Sequence, residues 1–435
     1  FIEFHKNYYH PANSYIYLYG DMDMAEKLEW LDREYLSSYD RKDCHADSSI
    51  PLQKAFEGPV EREITYSVTE EEGTADRTYL SVNTVVGTSL DPVLYIAFNI
   101  LEYTLINVPG APLKQALIDA GIGQDILGGY DSGILQPYFT VIAKNANREQ
   151  KGEFLSVVKG TLRKLADQGI DRKSLKAGLN YYEFRSREAD YGSAPKGLMY
   201  GLGAMDSWLY GGDPLVHLEY QKTFEFLNKA VDEGYFEQLI RTYLLDNPHE
   251  AVVIVSPRVN QTAQEDRKLA ERLAAYKASL GSEEIARLVA QTKALKDYQE
   301  ETSSQEDLEK IPMLQREDID RKSADLSYQL KMEDGVRVVH SSMFTSGIGY
   351  LKVLFNTDRV PVDDLPYVGL LKSVLGYVDT ENYTYSDLSS EIYLGSGGIN
   401  FAVSSYPDVT RPGEFTGAFV AGAKVFYDKL GFAFS

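Results

Sequence analysis

The feature that most constrains the fold is a highly charged passage, residues 263–300, in which apolar residues recur at helical spacing. These apolar residues form two stripes, which consist of Leu269, Leu273 and Tyr276 and then of Ile285, Leu288, Val289 and Leu295. The pattern predicts two helices joined by a tight turn. Because so polar a pair of helices cannot form a core, we expect the passage to connect two globular blocks.

The turn between the two predicted helices falls at Gly281 and Ser282. Gly281 is expected to stop the first helix, and Ser282 is expected to cap the second. Glu283 and Glu284 then occupy the first turn of the second helix, where the helix dipole favours negative charge. We therefore expect a hinge at Gly281 and Ser282.

The length and charge of the chain limit its partners. A chain of 435 residues exceeds the usual size of one domain, so two or more domains are expected. Its 44 basic and 65 acidic residues give a net charge of -21, which argues against nucleic acid and against a membrane surface as partners. No apolar run is expected to be long enough to cross a bilayer. Basic or unfolded peptides would be tolerated better.

Cysteine usage indicates the compartment. Cys44 is the one cysteine in the sequence, so no intramolecular disulfide can form. This fits a reducing environment, and we expect a cytoplasmic location. Cys44 and the adjacent His45 are only a weak indication of a metal site, and a solvent-facing loop explains them better.

One order of elements occurs twice along the chain: strand, acidic turn with proline, long helix, short helix, glycine-rich turn, strand. The predicted strands and helices are 60–68, 78–86, 92–107, 113–121 and 136–143, and then 336–342, 348–356, 362–377, 385–394 and 399–405. Gly121 aligns with Gly395, and Leu80 lies close to Leu351. The sequence therefore predicts an α+β fold with a duplicated module whose second copy is truncated.

Both ends of the chain suggest a piece of a longer protein. Residues 15–19 alternate like a closing strand that has no domain of its own. The last residues, GFAFS, follow a run that resembles a helix. We expect the chain to be excised from something longer.

Three glycine-rich stretches, GIGQDI, GLGAMD and GSGGIN, invite a nucleotide-binding interpretation. None has the third glycine of a dinucleotide fingerprint, and none has the Gly-Lys-Ser/Thr of a phosphate loop. We therefore expect turn or close-packing glycines. The six histidines are scattered, and no G-x-S-x-G elbow occurs. A Ser-His-Asp arrangement in space stays open, but nothing favours it.

The predicted long helix contains a more specific spacing. Asn99 and Tyr103 stand at positions i and i+4, as the two ligands of a metal-binding helix do, and Glu102 stands beside them. Zinc needs imidazole, thiolate or carboxylate donors, so an amide and a neutral phenol are poor substitutes. An amphipathic helix with one polar edge is the better interpretation of this helix on its own.

Longer strings connect the chain to a known family. They are FHKNYYHPANSYIYLYGDMD, NILEYTLINVPGAPLKQALIDAGIG, SAPKGLMYGL followed by WLYGGDP, and LGSGGINF. Through them the chain resembles the pitrilysin/insulinase-type zinc metallopeptidases, in the branch of presequence protease and falcilysin. The resemblance covers essentially the whole chain, including the predicted helical hairpin.

This resemblance implies four homologous α+β modules, with mostly antiparallel sheets packed by helices, and a helical hairpin between two halves that close around a peptide chamber. Placed on that plan, residues 1–23 are the closing strand of the catalytic module, and 24–262 are the second, non-catalytic module. Residues 263–312 are the hairpin linker, and 313–435 are a truncated third module.

The resemblance also implies where the chemistry lies. The H-x-x-E-H helix belongs to the first module, which is absent from this sequence, so zinc would bind outside the chain. Asn99, Glu102 and Tyr103 stand at the degenerate copy in the second module, where the glutamate remains and both histidine positions are lost. The corresponding helix of the third module shows residues 372–377, KSVLGY, without ligands. No catalytic residue and no metal ligand is therefore expected.

The parent protein is expected to be a zinc-dependent endopeptidase that degrades unstructured peptides in a closed chamber. This chain would supply part of the wall and the hinge. Its expected partners are peptide substrates and the rest of the same polypeptide, with its catalytic first module and its fourth module. Two alternatives stay open, a non-catalytic structural or processing-complex subunit of the same superfamily and a peptide-binding module.

Overall fold

A computed structural model describes residues 1–41, 47–322 and 327–434. Cys44 and His45, for which a loop is expected, lie outside the described residues.

The chain divides into two compact units. The larger comprises Phe1–Tyr66, Thr74–Pro257 and Thr345–Ser435, and the smaller comprises Ser67–Gly73 and Arg258–Phe344. The predicted α+β class is confirmed, because helices and mostly antiparallel sheets occur together. The predicted division into four segments stays a prediction.

The main sheet has five strands. They are β1 (Val60–Val68), β2 (Thr78–Val85), β3 (Asp125–Asp131), β4 (Tyr138–Ala146) and β5 (Glu250–Val259). Their order is β1-β5-β2-β4-β3, and β2 pairs antiparallel with both β4 and β5. Alternate residues of β2 are buried, as the two-residue period of a strand requires.

Nine helices precede or accompany this sheet in the first 257 residues, apart from the segment 42–46 that is not described. They are α1 (Ile2–Tyr8), α2 (Met24–Glu34), α3 (Pro92–Glu102), α4 (Pro112–Asp119), α5 (Lys151–Gln168), α6 (Arg172–Glu188), α7 (Lys196–Trp208), α8 (Gln221–Ala230) and α9 (Tyr235–Leu239). Two of them continue into π-helical turns, Tyr103–Asn107 after α3 and Ile240–Leu245 after α9.

The helix α3 lies at the centre of the core. Asp91 caps its start by accepting hydrogen bonds from the main-chain N–H groups of Val93, at 2.9 Å, and Leu94, at 3.0 Å. Pro92 at the first position has the fixed φ that suits a helix start. Phe98 and the aliphatic residues around it are fully buried against the sheet and the neighbouring helices.

The expectation that no apolar run could cross a bilayer is wrong by length and composition. Within the described residues, one helical stretch, Pro92–Asp119, is long and apolar enough. Half of its most apolar window is buried inside the protein. The stretch is also interrupted by a loop between the π-helical turn and α4. It has the features of a core helix pair, whose apolar residues the sheet and the other helices cover.

The smaller unit contains the predicted hairpin. Its elements are α10 (Gln261–Ser279), α11 (Ser282–Glu300), α12 (Gln305–Glu309), β6 (Gln329–Glu333) and β7 (Val336–His340). The two-helix interpretation of 263–300 is confirmed. No described residue of 258–344 is buried.

The turn of the hairpin differs from the prediction by one residue. The first helix ends at Ser279, and Gly281, not Ser282, stands at the N-cap of α11. Gly281 has φ of -71°, so it does not adopt the left-handed conformation that a glycine helix stop commonly uses. Its N–H donates to the Glu284 carboxylate at 3.2 Å, which satisfies one donor at the helix start.

The smaller unit contains a second hairpin, and the sequence predicted only one of its two strands. Strand β7 was expected, but its partner β6 was not. Asp334, with φ of 48°, and Gly335, with φ of 82°, form the two-residue turn between them. An Asp-Gly pair is a strong hairpin signal, and it identifies β6 once the turn is recognised.

The remainder of the larger unit has β8 (Ile348–Asn356), α13 (Leu365–Val374), α14 (Tyr385–Gly395), β9 (Ile399–Pro407) and β10 (Phe415–Phe426). Their sheet order, β8-β10-β9, repeats the order β2-β4-β3. Leu80 pairs with Ala143, which pairs with Ile126; Leu351 pairs with Ala423, which pairs with Ile399. The equivalent registers support the internal duplication and the alignment of Leu80 with Leu351.

Three further predictions are corrected. The helix-like run before GFAFS is the strand β10 followed by a 3-10 helix, Tyr427–Phe434. The glycine-rich turn after α4 continues into the strand β3. Residues 15–19 are extended but belong to no strand. Local periodicity was a poor guide to both strands, because β10 is stabilised by pairing with the distant strand β8, and β3 is an edge strand with two glycines that is stabilised by pairing with β4.

Candidate functional site

The three residues of the degenerate motif lie together at the end of α3. Asn99 is held within the helix, because its side-chain amide donates to the main-chain carbonyl of Tyr95 at 2.7 Å. The next turn carries Glu102, the last residue of α3, and Tyr103, the first residue of the π-helical turn. The i, i+3, i+4 spacing therefore does bring the three side chains to one region of the helix.

Glu102 is buried, and its carboxyl oxygen accepts a hydrogen bond from the side-chain amide of Asn107. A π-helical turn relates positions i and i+5, and this spacing places Asn107 next to Glu102. Burial raises the pKa of Glu102, although the hydrogen bond from Asn107 opposes the shift. The glutamate is thus engaged in the core of the helix pair.

Tyr103 lies in a cluster of four tyrosines. Its ring stacks on that of Tyr181, with centroids 4.5 Å apart, and meets the rings of Tyr182 and Tyr393 edge to face. Burial raises the pKa of Tyr103 well above that of an ordinary tyrosine, so the phenol stays neutral. Tyr103, which stands at a ligand position of the motif, therefore packs between α3, α6 and α14.

These residues do not fit a zinc ion. A site needs at least three anionic or imidazole donors, whereas this helix end offers one buried carboxyl, an amide and a neutral phenol. Within 1–41, 47–322 and 327–434, no group of three or more His, Cys, Asp or Glu residues could hold a metal ion.

Comparison with known proteins places this geometry in a family. Residues 1–182, which include the whole degenerate motif, match a family described as Peptidase M16 inactive domain. Residues 255–435 match a family described as associated with subfamily C of the M16 peptidases. The chain belongs to the pitrilysin-type M16 peptidase superfamily, in its presequence protease branch. The resemblance stated from the sequence is confirmed.

Two curated relatives match the chain over most of its length. The chain is 42% identical over 415 residues to Protein HypA of Clostridium perfringens, covering 95% of this chain and 42% of that protein. It is 30% identical to presequence protease 1, chloroplastic/mitochondrial, of Arabidopsis thaliana, covering 92% of this chain and 38% of that protein. This M16 chain thus spans about two fifths of the length of these relatives.

Among solved structures, the chain is similar to pitrilysin. The TM-score is 0.45 and the identity is 14%, and the likeness covers 96% of this chain and 41% of that one.

The helix α6 joins the motif to residues 345–434 of this M16 chain. Asn180 donates to the main-chain carbonyls of Tyr393, at 2.7 Å, and Ser396, at 3.0 Å, and it accepts from the Lys429 ammonium at 2.8 Å. The stripe that carries Asn180 ends in Glu188, whose carboxylate pairs with the Lys424 ammonium at 2.7 Å. One face of α6 therefore packs against residues 345–434, whereas Leu175 and Leu179 on the other face belong to the main core.

The same seam contains a close-packed glycine. A Cβ on Gly397 would lie 2.3 Å from the Phe184 ring, which itself packs against the Phe426 ring in a tilted arrangement with centroids 4.9 Å apart. Gly123 in the GIGQDI stretch has φ of 71°, and a Cβ there would lie 2.8 Å from the carbonyl oxygen of Lys144. The interpretation of the glycine-rich stretches as turn and close-packing sites is confirmed at these positions.

A polar cluster near the start of α3 was not anticipated. The Tyr95 hydroxyl donates to the Asp206 carboxylate at 2.8 Å, and the His217 ring stacks on Tyr95 at 4.0 Å. Burial raises the pKa of Asp206 and lowers that of His217. Ser89 is fully buried beside this group, and neither its hydroxyl nor the His217 ring nitrogens have a side-chain hydrogen-bond partner among the described residues.

This cluster brings serine, histidine and aspartate near one another, but it is not a nucleophilic site. A triad needs the histidine hydrogen-bonded both to the serine hydroxyl and to the carboxylate. Here the Asp206 carboxylate accepts from Tyr95 instead. Scattered single residues in the sequence gave no signal for this cluster, because their closeness arises only from the packing of α3, α7 and the loop that follows α7.

Proposed function

We propose that this chain is the central, non-catalytic segment of a zinc-dependent endopeptidase that degrades unstructured peptides in a closed chamber. The environment of Glu102 and Tyr103 is the observation that supports this proposal. The glutamate that would act as general base is buried and bound by Asn107, and the second ligand position holds the packed Tyr103. A chain with this helix end has a structural role in peptide hydrolysis, while zinc chemistry belongs to another part of the parent.

The wall role is supported by the seam on α6. Residues 345–434 are attached to the first 257 residues through Asn180, Glu188 and the Phe184 ring. An M16 chain built in this way can present one continuous surface to a peptide, because its duplicated modules are fixed against each other. The hinge role of Gly281 and Ser282 and the cytoplasmic location remain part of the proposal.

The test uses the full-length parent and this chain by itself. The parent is expected to hydrolyse an unstructured peptide with zinc bound, and the isolated chain is expected to show neither activity nor stoichiometric zinc after dialysis. In the parent, Tyr103→Ala should reduce turnover and leave the zinc content unchanged, because it loosens the seam without contacting the metal. Tyr103→Phe, which keeps the ring, is the matched control and should retain turnover.

Two results would contradict the proposal. Peptide hydrolysis by the isolated chain would show that this segment has its own site. A parent that binds no zinc and cleaves no peptide would favour the structural or processing-complex subunit.

A further inference from the structure

The extended segment of residues 15–19 lies across the helix α7. A Cβ on Gly197 would lie 2.2 Å from the Tyr19 ring, and a Cβ on Gly201 would lie 2.9 Å from the Tyr17 ring. A side chain at either position of α7 would collide with the ring, so glycine is what permits this close approach. The two rings are therefore seated directly on the backbone of α7.

The spacing of the segment matches the spacing of the helix. The two tyrosines are two residues apart on extended chain, which spans about 6.6 Å, and the two glycines are four residues apart on a helix, which spans about 6 Å. Tyr15 continues the row, and its ring meets that of Trp208 edge to face with centroids 4.8 Å apart. The segment thus runs antiparallel to α7, with every second side chain held against the helix.

The main chain of residues 15–19 has no strand partner. None of its N–H or carbonyl groups makes a hydrogen bond with any residue that the structure describes. Ile16 and Leu18 alternate with the three tyrosines, and Ile16 is 41% exposed. A run that is apolar on both faces is typical of a strand that is covered on both faces. An extended edge of this kind is a template for pairing with another strand.

The partner strand is expected in the parent protein. The chain covers 42% and 38% of the length of the two curated relatives, so more than half of such a protein lies outside it. A second copy of the chain fits this edge less well, because a net charge of -21 on each copy opposes their association.

We propose that residues 15–19 form a strand in the sheet of the parent's catalytic module, and that Gly197 and Gly201 are positioning residues that fix this strand to the chain. The main chain of the segment would pair with the sheet, while its tyrosines attach it to α7. This inference rests on the proposed function, from which it takes a parent with a separate catalytic module. It names the contact that places the chamber wall relative to the zinc-binding part.

Amide hydrogen exchange tests the pairing without measuring activity. In the isolated chain, the amides of residues 15–19 should exchange nearly as fast as those of an unstructured peptide, because they have no acceptor. In the full-length parent they should exchange at least about 100-fold more slowly. The amides of β2, which pairs with β4 and β5 within this chain, are the reference and should be protected in both proteins.

Glycine variants of the parent test the attachment to α7. Gly201→Ala should displace the Tyr17 ring and accelerate exchange of residues 15–19 by about tenfold or more, without changing exchange in β2. Gly203→Ala on the same helix is the matched control, because a Cβ there would lie 4.0 Å from the nearest side chain, Leu218. Peptide turnover should fall in Gly201→Ala and not in Gly203→Ala, with the zinc content unchanged in both.

A double variant assigns the contact even if Gly201→Ala fails to fold. Tyr17→Ala removes the ring that the new methyl group would meet. Tyr17→Ala combined with Gly201→Ala should therefore exchange like Tyr17→Ala alone.

Three outcomes would overturn the inference. They are equal exchange of residues 15–19 in the isolated chain and in the parent, protection in the isolated chain that grows with its concentration, and equal effects of Gly201→Ala and Gly203→Ala. The second outcome would assign the edge to another copy of the chain. A parent that protects residues 15–19 but hydrolyses no peptide would refute the proposed function and support the attachment, whereas an active parent without this protection would do the reverse.

Discussion

Single residues at the end of α3 show how a catalytic motif position can acquire another role. Glu102 keeps the identity of a general base, but its carboxyl is buried and bound by Asn107. Tyr103 replaces an imidazole by a ring that three other tyrosines surround. Zinc ligation and this packing exclude each other, since a ligand must present an unprotonated donor to the metal.

The first prediction concerns the charge of Glu102. Its raised folded pKa means that the unfolded chain releases the proton first, so this residue lowers the free energy of unfolding as the pH rises above about 4.3. Glu102→Gln removes the titration and keeps an acceptor for Asn107. Urea unfolding between pH 4 and pH 8 should show the variant gaining stability relative to the parent sequence as the pH rises.

Glu102→Ala is the control for this prediction. It also removes the titration, but it deletes the hydrogen bond from the exposed Asn107 amide and leaves a space where the buried Glu102 side chain was, so it should be less stable than Glu102→Gln by about 1–3 kcal/mol at every pH. A difference between Glu102→Gln and the parent sequence that stays constant from pH 4 to pH 8 would refute the assignment of a raised pKa.

At the scale of elements, the helix α6 packs against two different parts of the chain. Its inner stripe contributes to the main core, and its outer stripe, with Asn180 and Phe184, packs against residues 345–434. A helix with two packed stripes cannot be recognised by a single amphipathic face. This explains why the sequence did not predict the seam.

The second prediction tests the seam at a glycine. Gly397→Ala places a methyl group 2.3 Å from the buried Phe184 ring, and we expect overpacking to cost about 1–3 kcal/mol. Gly369→Ala in α13 has nothing within 4 Å and should instead stabilise by about 0.5–1 kcal/mol through helix propensity. Denaturant unfolding of both variants measures the difference, and similar effects of the two would argue against a tight seam.

The third prediction concerns the turn of the helical hairpin. Gly281 has φ of -71°, and the preceding Leu280 is extended, so proline fits the backbone at position 281. Gly281→Pro loses one hydrogen bond, to Glu284, and should change the free energy of unfolding by no more than about 1 kcal/mol.

Gly234→Pro is the matched control for the turn. Gly234 has φ of 79°, which proline cannot adopt, so this variant should lose more than about 1 kcal/mol. A large loss in Gly281→Pro, measured by the same unfolding experiment, would show that the turn needs a conformation other than the one described.

At the scale of the whole molecule, the two units differ in how much they bury. The larger has a continuous core from β2 to β5, whereas the described residues of 258–344 have none. Backbone without buried neighbours opens at little cost in free energy. The unequal burial predicts where a protease first cuts the molecule.

The fourth prediction follows from this difference. Brief digestion with a protease of broad specificity should cut first near 301–312, where every residue is exposed, or at the Gly281 turn, where no residue is buried. Residues 92–122 should resist, since α3 and α4 lie in the core. Mass spectrometry of the first fragments locates the cut. An initial cut within 92–122 would contradict the core assignment.

Local sequence determined a large part of this protein. Helical spacing predicted the pair α10 and α11 and the long helix α3, since side-chain periodicity depends only on neighbours along the chain. The repeated order of elements predicted the duplicated α+β module. Family strings identified the M16 superfamily, and residue chemistry alone disfavoured zinc at Asn99 and Tyr103.

Only the tertiary structure decided the rest. The strand β10 depends on pairing with the distant strand β8, and the glycine-containing edge strand β3 depends on pairing with β4. No local period specifies a partner. The contact of Glu102 with Asn107 depends on a π-helical turn, which the spacing of residues in the sequence does not predict. The outer stripe of α6 becomes visible only when remote segments meet, because burial and hydrogen bonding are properties of the packed chain and not of any residue in sequence.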